Sequence, residues 1–105
     1  MTAVLPACTA NGVRIVTNMG AANPLGAARE TCRIASGLGL DTTCAVLLGD
    51  DVRETIAAMP ELVLLESGEP LEAILPQVAS ANAYLGADGI RDALATGADV
   101  VITGR

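Results

Sequence analysis

Histidine, lysine, phenylalanine and tryptophan are all missing from this chain of 105 residues, and tyrosine occurs once, at Tyr84. Without histidine there is no Ser–His pair, no imidazole base and no histidine metal ligand. Without lysine there is no P-loop, no Schiff base and no lysine nucleophile. Positive charge is scarce: six arginines stand against twelve Asp and Glu, for a formal net charge of −6. No basic stripe is present to displace phosphate counterions, so nucleic acid is not an expected partner. Cys8, Cys32 and Cys44 are odd in number and far apart, with no CxxC pair. A structural zinc would lack its fourth ligand, so no metal is expected and the three read as free thiols, buried or half-buried. The uninterrupted apolar stretches, such as 45–48 and 62–65, fall far short of a membrane span, and the first ten residues carry no positive leader. A soluble, cytoplasmic chain with no membrane partner is the expectation.

What is present is a half-hydrophobic chain, 51% by count, in which nineteen residues are alanine. Alanine buries little area, so the hydrophobic gain must come from Leu, Ile and Val at about 25 cal/mol per Å². Small side chains allow close approach of helices and sheet. A core without large anchors is expected to be marginal, or to need a partner surface such as the rest of a parent chain or a second copy. The isolated chain is accordingly expected to self-associate.

Strand-like and helix-like segments alternate. Residues 2–10 read as a helix stopped by Asn11-Gly12, and 13–17 as a short β-branched strand. Asn23-Pro24 reads as an N-cap followed by proline at the first helical position, opening a helix that runs to Gly37. A second strand is expected over 44–48 and a helix over 52–59, ahead of Pro60. Residues 60–77 hold three prolines and read as irregular or short helical turns. A third strand is expected over 78–84, weakened by Ala and Asn, then a helix over 87–96 and a last strand over 99–103. The alternation predicts an α/β fold, a mostly parallel sheet of about four strands with flanking helices, in an incomplete domain. Parallel strands would gather their C-terminal ends on one edge, where open α/β sheets bind ligands.

Four phrases are distinctive in their order: IVTNMGAANP at 15–24, LGDD at 48–51, SANAYLGA at 80–87 and GADVVITGR at 97–105. Together they resemble the acyclic terpene utilisation family AtuA over nearly the whole chain. Members of that family are several times longer, begin with a strand and a glycine-rich loop, and continue past the TGR phrase. The resemblance therefore implies an interior fragment of the family's N-terminal region, forming one partial domain over 1–105. It also implies a place in the catabolism of citronellol- and geraniol-type acyclic terpenes, by a route through acyl-CoA intermediates, with neither reaction nor cofactor specified.

Five places in the chain are candidates for chemistry. Gly20 and Asn23 lie in a turn between strand and helix, where free backbone N–H groups suit an anion; a plain helix cap at Asn23 explains the same residues. Asn18 would stand beside them at the strand end. Asp50 and Asp51 are adjacent carboxylates at a strand end, able to act as catalytic acid and base if burial separates their pKa values. Helix capping accounts for one of the two. Asn82 and Tyr84, two apart on the expected strand, share a face with Ser80; Asn82 reads as a ligand contact, while core packing is the first explanation for Tyr84. Arg105, beyond the last strand, offers a bidentate fork for carboxylate or phosphate. These residues describe a small-molecule site, for an anionic or hydroxylated ligand, along the strand C-terminal edge. Two other classes fit the same residues: a non-catalytic nucleotide- or acyl-CoA-binding module, and a structural segment for oligomerisation.

Overall fold

Asparagine at position 23 shows how local chemistry starts the main helix. In the computed structural model, which describes residues 1–105, its Oδ1 accepts the N–H of Gly26 at 2.9 Å, and Pro24 occupies the first turn. The helix that follows, α2 (Pro24–Gly37), buries Pro24, Ala28, Thr31 and Ala35, a stripe with four- and three-residue spacing. The Thr31 hydroxyl is satisfied within the helix by donating to the Ala27 carbonyl at 2.9 Å. The preceding elements are α1 (Leu5–Ala10) and β1 (Ile15–Thr17); those that follow are β2 (Cys44–Leu47), α3 (Arg53–Ala57) and α4 (Leu71–Ile74). A 3-10 turn (Leu75–Gln77), α5 (Asp88–Ala95) and β3 (Val100–Thr103) complete the chain. No helix is long and apolar enough to cross a membrane.

The chain forms two compact units, one of Met1–Leu48 with Tyr84–Arg105, the other of Gly49–Ala83. The first holds an α/β fold with a parallel sheet in the order β1-β3-β2. β3 is central: Ile102 lies opposite Thr17 on one side and Val46 on the other. All four β3 residues are buried, as the unbroken VVIT run requires of a strand paired on both edges. The core groups Leu5, Ala28, Ala35, Val100 and Ile102, with Ile15, Ile34, Leu40, Cys44 and Val46 packed against it. Alanine at 28 and 35 is what lets α2 lie close on the sheet.

At the start of the strands, Asp99 and Thr43 hold one another. The Asp99 carboxylate accepts both the backbone N–H and the hydroxyl of Thr43, each at 2.8 Å. The Thr43 carbonyl in turn accepts the N–H groups of Asp99 and Val100. These hydrogen bonds, the backbone one first, hold the Asp99 carboxyl below the usual carboxylate range. The register of β2 on β3 is thus pinned at its first residue.

The sheet has three strands, not about four, because 78–84 does not join it. Its Ala-Ser-Ala-Asn-Ala run has few β-branched residues. It makes one isolated antiparallel bridge within the second unit, Asp51 to Asn82. There Val52 N–H donates to the Ala81 carbonyl at 3.0 Å and Ala83 N–H to the Asp50 carbonyl at 2.8 Å. The expected shared strand face for Ser80, Asn82 and Tyr84 goes with that strand. Tyr84 is also not a core residue: it is 89% exposed. The remainder of the second unit matches the expected short turns, with a Val63–Pro70 bridge ahead of α4.

Candidate functional site

Because all three strands are parallel, Thr17, Leu47 and Thr103 end on one edge of the sheet. The turn leaving β1 is built by hydrogen bonds within it. The Thr17 hydroxyl accepts the Met19 N–H at 3.2 Å, the Asn18 carbonyl accepts Ala21, and the Gly20 carbonyl accepts Asn23 at 2.8 Å. Ala21 adopts a left-handed φ of 43°, unusual for a residue with a side chain. Gly20 is buried, and a Cβ there would run into the Thr103 carbonyl and the Cα of Pro24. Its glycine therefore has a packing reason, the close approach of this turn to the end of β3. Asn23 is likewise engaged as the α2 cap, and Asn18 is exposed beside it.

Beyond the ends of β2 and β3 lies a pocket of about 160 Å³. Leu47, Leu85 and Ile90 give it an apolar wall; Tyr84, Thr103 and Arg105 give it a phenol, a hydroxyl and a guanidinium. The Thr103 hydroxyl donates to the Gly104 carbonyl at 3.0 Å. Sequence reasoning found Tyr84 and Arg105 but missed Leu47, Leu85 and Ile90. Apolar residues carry no signal of their own, and only the fold brings these three from β2, the loop after 84 and α5 to one place.

A larger concavity, about 240 Å³, opens at the start of the strands between Leu5, Cys8, Arg14 and Asp99. Its charged groups are already engaged in structure: Arg14 donates to the Leu94 carbonyl at 3.0 Å, and Asp99 holds Thr43. The strand-end pocket is the better candidate by position, because it lies at the C-terminal ends of parallel strands, where open α/β sheets bind ligands.

In the second unit the two adjacent aspartates divide their roles. Asp51 is exposed, and its Oδ1 accepts the Arg53 N–H at 3.1 Å just ahead of α3. Asp50 is only 4% exposed, and its Oδ2 accepts from Asn82 Nδ2 at 3.0 Å. Arg53 fastens the same segment by donating from Nε to the Val78 carbonyl at 3.0 Å. The structure thus joins Asp50 to Asn82, as a buried carboxylate held by an amide, while Ser80 stays exposed. No three of the Cys, Asp and Glu side chains gather as a metal-holding group.

All three cysteines are free and half-buried. Burial, and then the neighbouring Cys32 thiol, push Cys44 up to about 12. The folded state therefore favours the protonated thiol. Its stabilising effect is complete below the thiol's unfolded value and is lost as pH rises towards 12. At pH 8 Cys44 therefore carries far less thiolate than an ordinary exposed cysteine. Iodoacetamide at pH 8 is expected to modify Cys44 slowly in the folded protein and rapidly in urea. Mass spectrometry showing equal rates in both states would contradict that burial.

No curated protein and no solved structure matches the chain. A family model does match, and it spans residues 1–105, the sheet, its strand-end turn and the Asp50–Asn82 segment included. The chain belongs to the acyclic terpene utilisation family AtuA.

Proposed function

We propose that the strand-end pocket binds the hydrocarbon end of a small acid or alcohol from acyclic terpene utilisation. One observation carries this reading: Leu47, Leu85 and Ile90 meet Tyr84, Thr103 and Arg105 at the C-terminal ends of parallel strands. Ligands of open α/β sheets bind at that edge. Apolar walls with a few placed polar groups are the usual make-up of small-molecule sites. A guanidinium suits a carboxylate, and the tyrosine and threonine hydroxyls suit an alcohol.

The test uses the protein's only aromatic as its reporter. Tyr84 lines the pocket and is 89% exposed, with no tryptophan to mask its emission. Titration with 3-methylbutanoate is expected to change tyrosine fluorescence saturably and to shift the amide resonances of Leu47, Leu85 and Thr103. Acetate, which has the carboxylate without the hydrocarbon, is expected to do neither. Equal responses to both acids, or none to either, would refute the reading.

A further inference from the structure

Residue 89 has no conformational reason to be glycine. It lies inside α5, where the backbone is helical and any L-residue fits. Glycine in a helix is less favourable than alanine, so its presence asks for a spatial reason. The surroundings supply one. A Cβ at Gly89 would stand 2.5 Å from Cδ1 of Leu47, 3.1 Å from Cδ2 and 3.4 Å from Cγ. The end of the Leu47 side chain therefore rests where a side chain at 89 would be. Leu47 is also a wall of the strand-end pocket, and Ile90, next to Gly89, is another.

We infer that Gly89 sets the size of the strand-end pocket, by giving the Leu47 side chain a seat on α5 that any larger residue would deny it. The pocket then admits one short branched hydrocarbon end. This inference rests on the proposed pocket being a ligand site. The volume limits the occupant: a cavity of ~150 Å³ takes one benzene-sized group, whereas sites enclosing a whole drug-sized ligand run from ~300 Å³ upward. At about 160 Å³ the pocket holds one such group, which is one branched end of a terpene chain. The rest of a longer ligand would lie outside it.

Gly89→Ala adds a methyl group where Leu47 now rests, and Leu47 must move. The moving atoms are the far end of a flexible side chain, so the fold can absorb the change while the pocket wall shifts. One methylene in a hydrophobic pocket alters discrimination by about 10–200-fold. Fluorescence titration of Gly89→Ala is therefore expected to show affinity for 3-methylbutanoate about tenfold weaker than in the unsubstituted protein. Leu47→Ala widens the pocket and is expected to improve binding of the bulkier 3,5,5-trimethylhexanoate relative to 3-methylbutanoate. The double variant is expected to recover much of the affinity lost in Gly89→Ala, because its small residue 47 no longer meets the new methyl. If Gly89→Ala does not fold, as judged by circular dichroism, the Leu47→Ala selectivity decides alone. Unsubstituted protein that binds 3-methylbutanoate, with Gly89→Ala or Leu47→Ala leaving its preference unchanged, overturns the role of Gly89 and leaves the pocket standing. Unsubstituted protein that binds neither acid overturns both.

Discussion

Replacing Ile102 with alanine is expected to lower stability by about 2–5 kcal/mol, the range for deleting a large aliphatic side chain from a packed core. Ile102 is 1% exposed and sits at the middle of the sheet, paired with Thr17 on one side and Val46 on the other. Both neighbouring strands are held by the β3 ladder, so they cannot close inward on the space left behind. Ala28 and Ala35 are the buried α2 residues of the core around it, with Ala27 and Ile34 packed against it. Total stability for a chain of this size is about 5–15 kcal/mol, so the change removes a large share of it. Urea denaturation followed by far-ultraviolet circular dichroism reads this as a fall in midpoint at constant slope. An unchanged midpoint would mean that the core is not packed around β3 as described.

Gly20→Ala is expected to be the most damaging change in the strand-end turn. The added carbon meets backbone, not a movable side-chain end: the Thr103 carbonyl and the Pro24 Cα. Overpacking of this kind costs about 1–3 kcal/mol, and more where nothing can yield. Relief would require the turn to withdraw from β3, and the Gly20 carbonyl, which accepts the Asn23 N–H, would move with it. The α2 cap would then loosen as well. A melting temperature lowered by about 4–8 °C per kcal/mol is the expected reading for a domain of this size. The amide resonances of Thr103 and Gly104 should shift with it. A variant with unaltered melting temperature and unaltered Thr103 resonances would show that Gly20 does not touch β3.

Local chemistry was legible wherever one residue's conformation depends on its near neighbours. Asn23-Pro24 announced the start of α2, and the structure has that cap hydrogen bond. The VVIT run announced β3, because four consecutive large or β-branched residues suit a strand buried on both faces. The alternation of such segments announced the α/β class, since successive strands separated by helices pair in parallel. The adjacent aspartates were partly legible: one was expected to cap a helix near Val52, and although the α3 cap position is Val52 itself, with no side-chain cap bond, Asp51 just before it accepts the Arg53 N–H.

The rest depended on which distant segments meet, and no local preference encodes that. Residues 78–84 alternate in polarity, yet a strand exists only when a partner offers its edge, and here the segment meets Asp51 in a single bridge. Tyr84 looked like a core anchor because it is the only aromatic, but the interior is filled by Leu, Ile, Val and Ala, and its ring is left exposed. Gly20 looked open to a ligand, and the structure gives its missing side chain to the Thr103 carbonyl instead. Composition, caps and strand runs determined the class of fold and the edge on which its strands end. The sequence also put Asp50 and Asn82 in one place, and they hydrogen-bond; tertiary packing alone decided that Leu47, Leu85 and Ile90 line one pocket, and that Gly89 makes room for Leu47. Those are contacts between residues far apart in the chain, selected by the close-packed interior rather than by the preferences of any single segment.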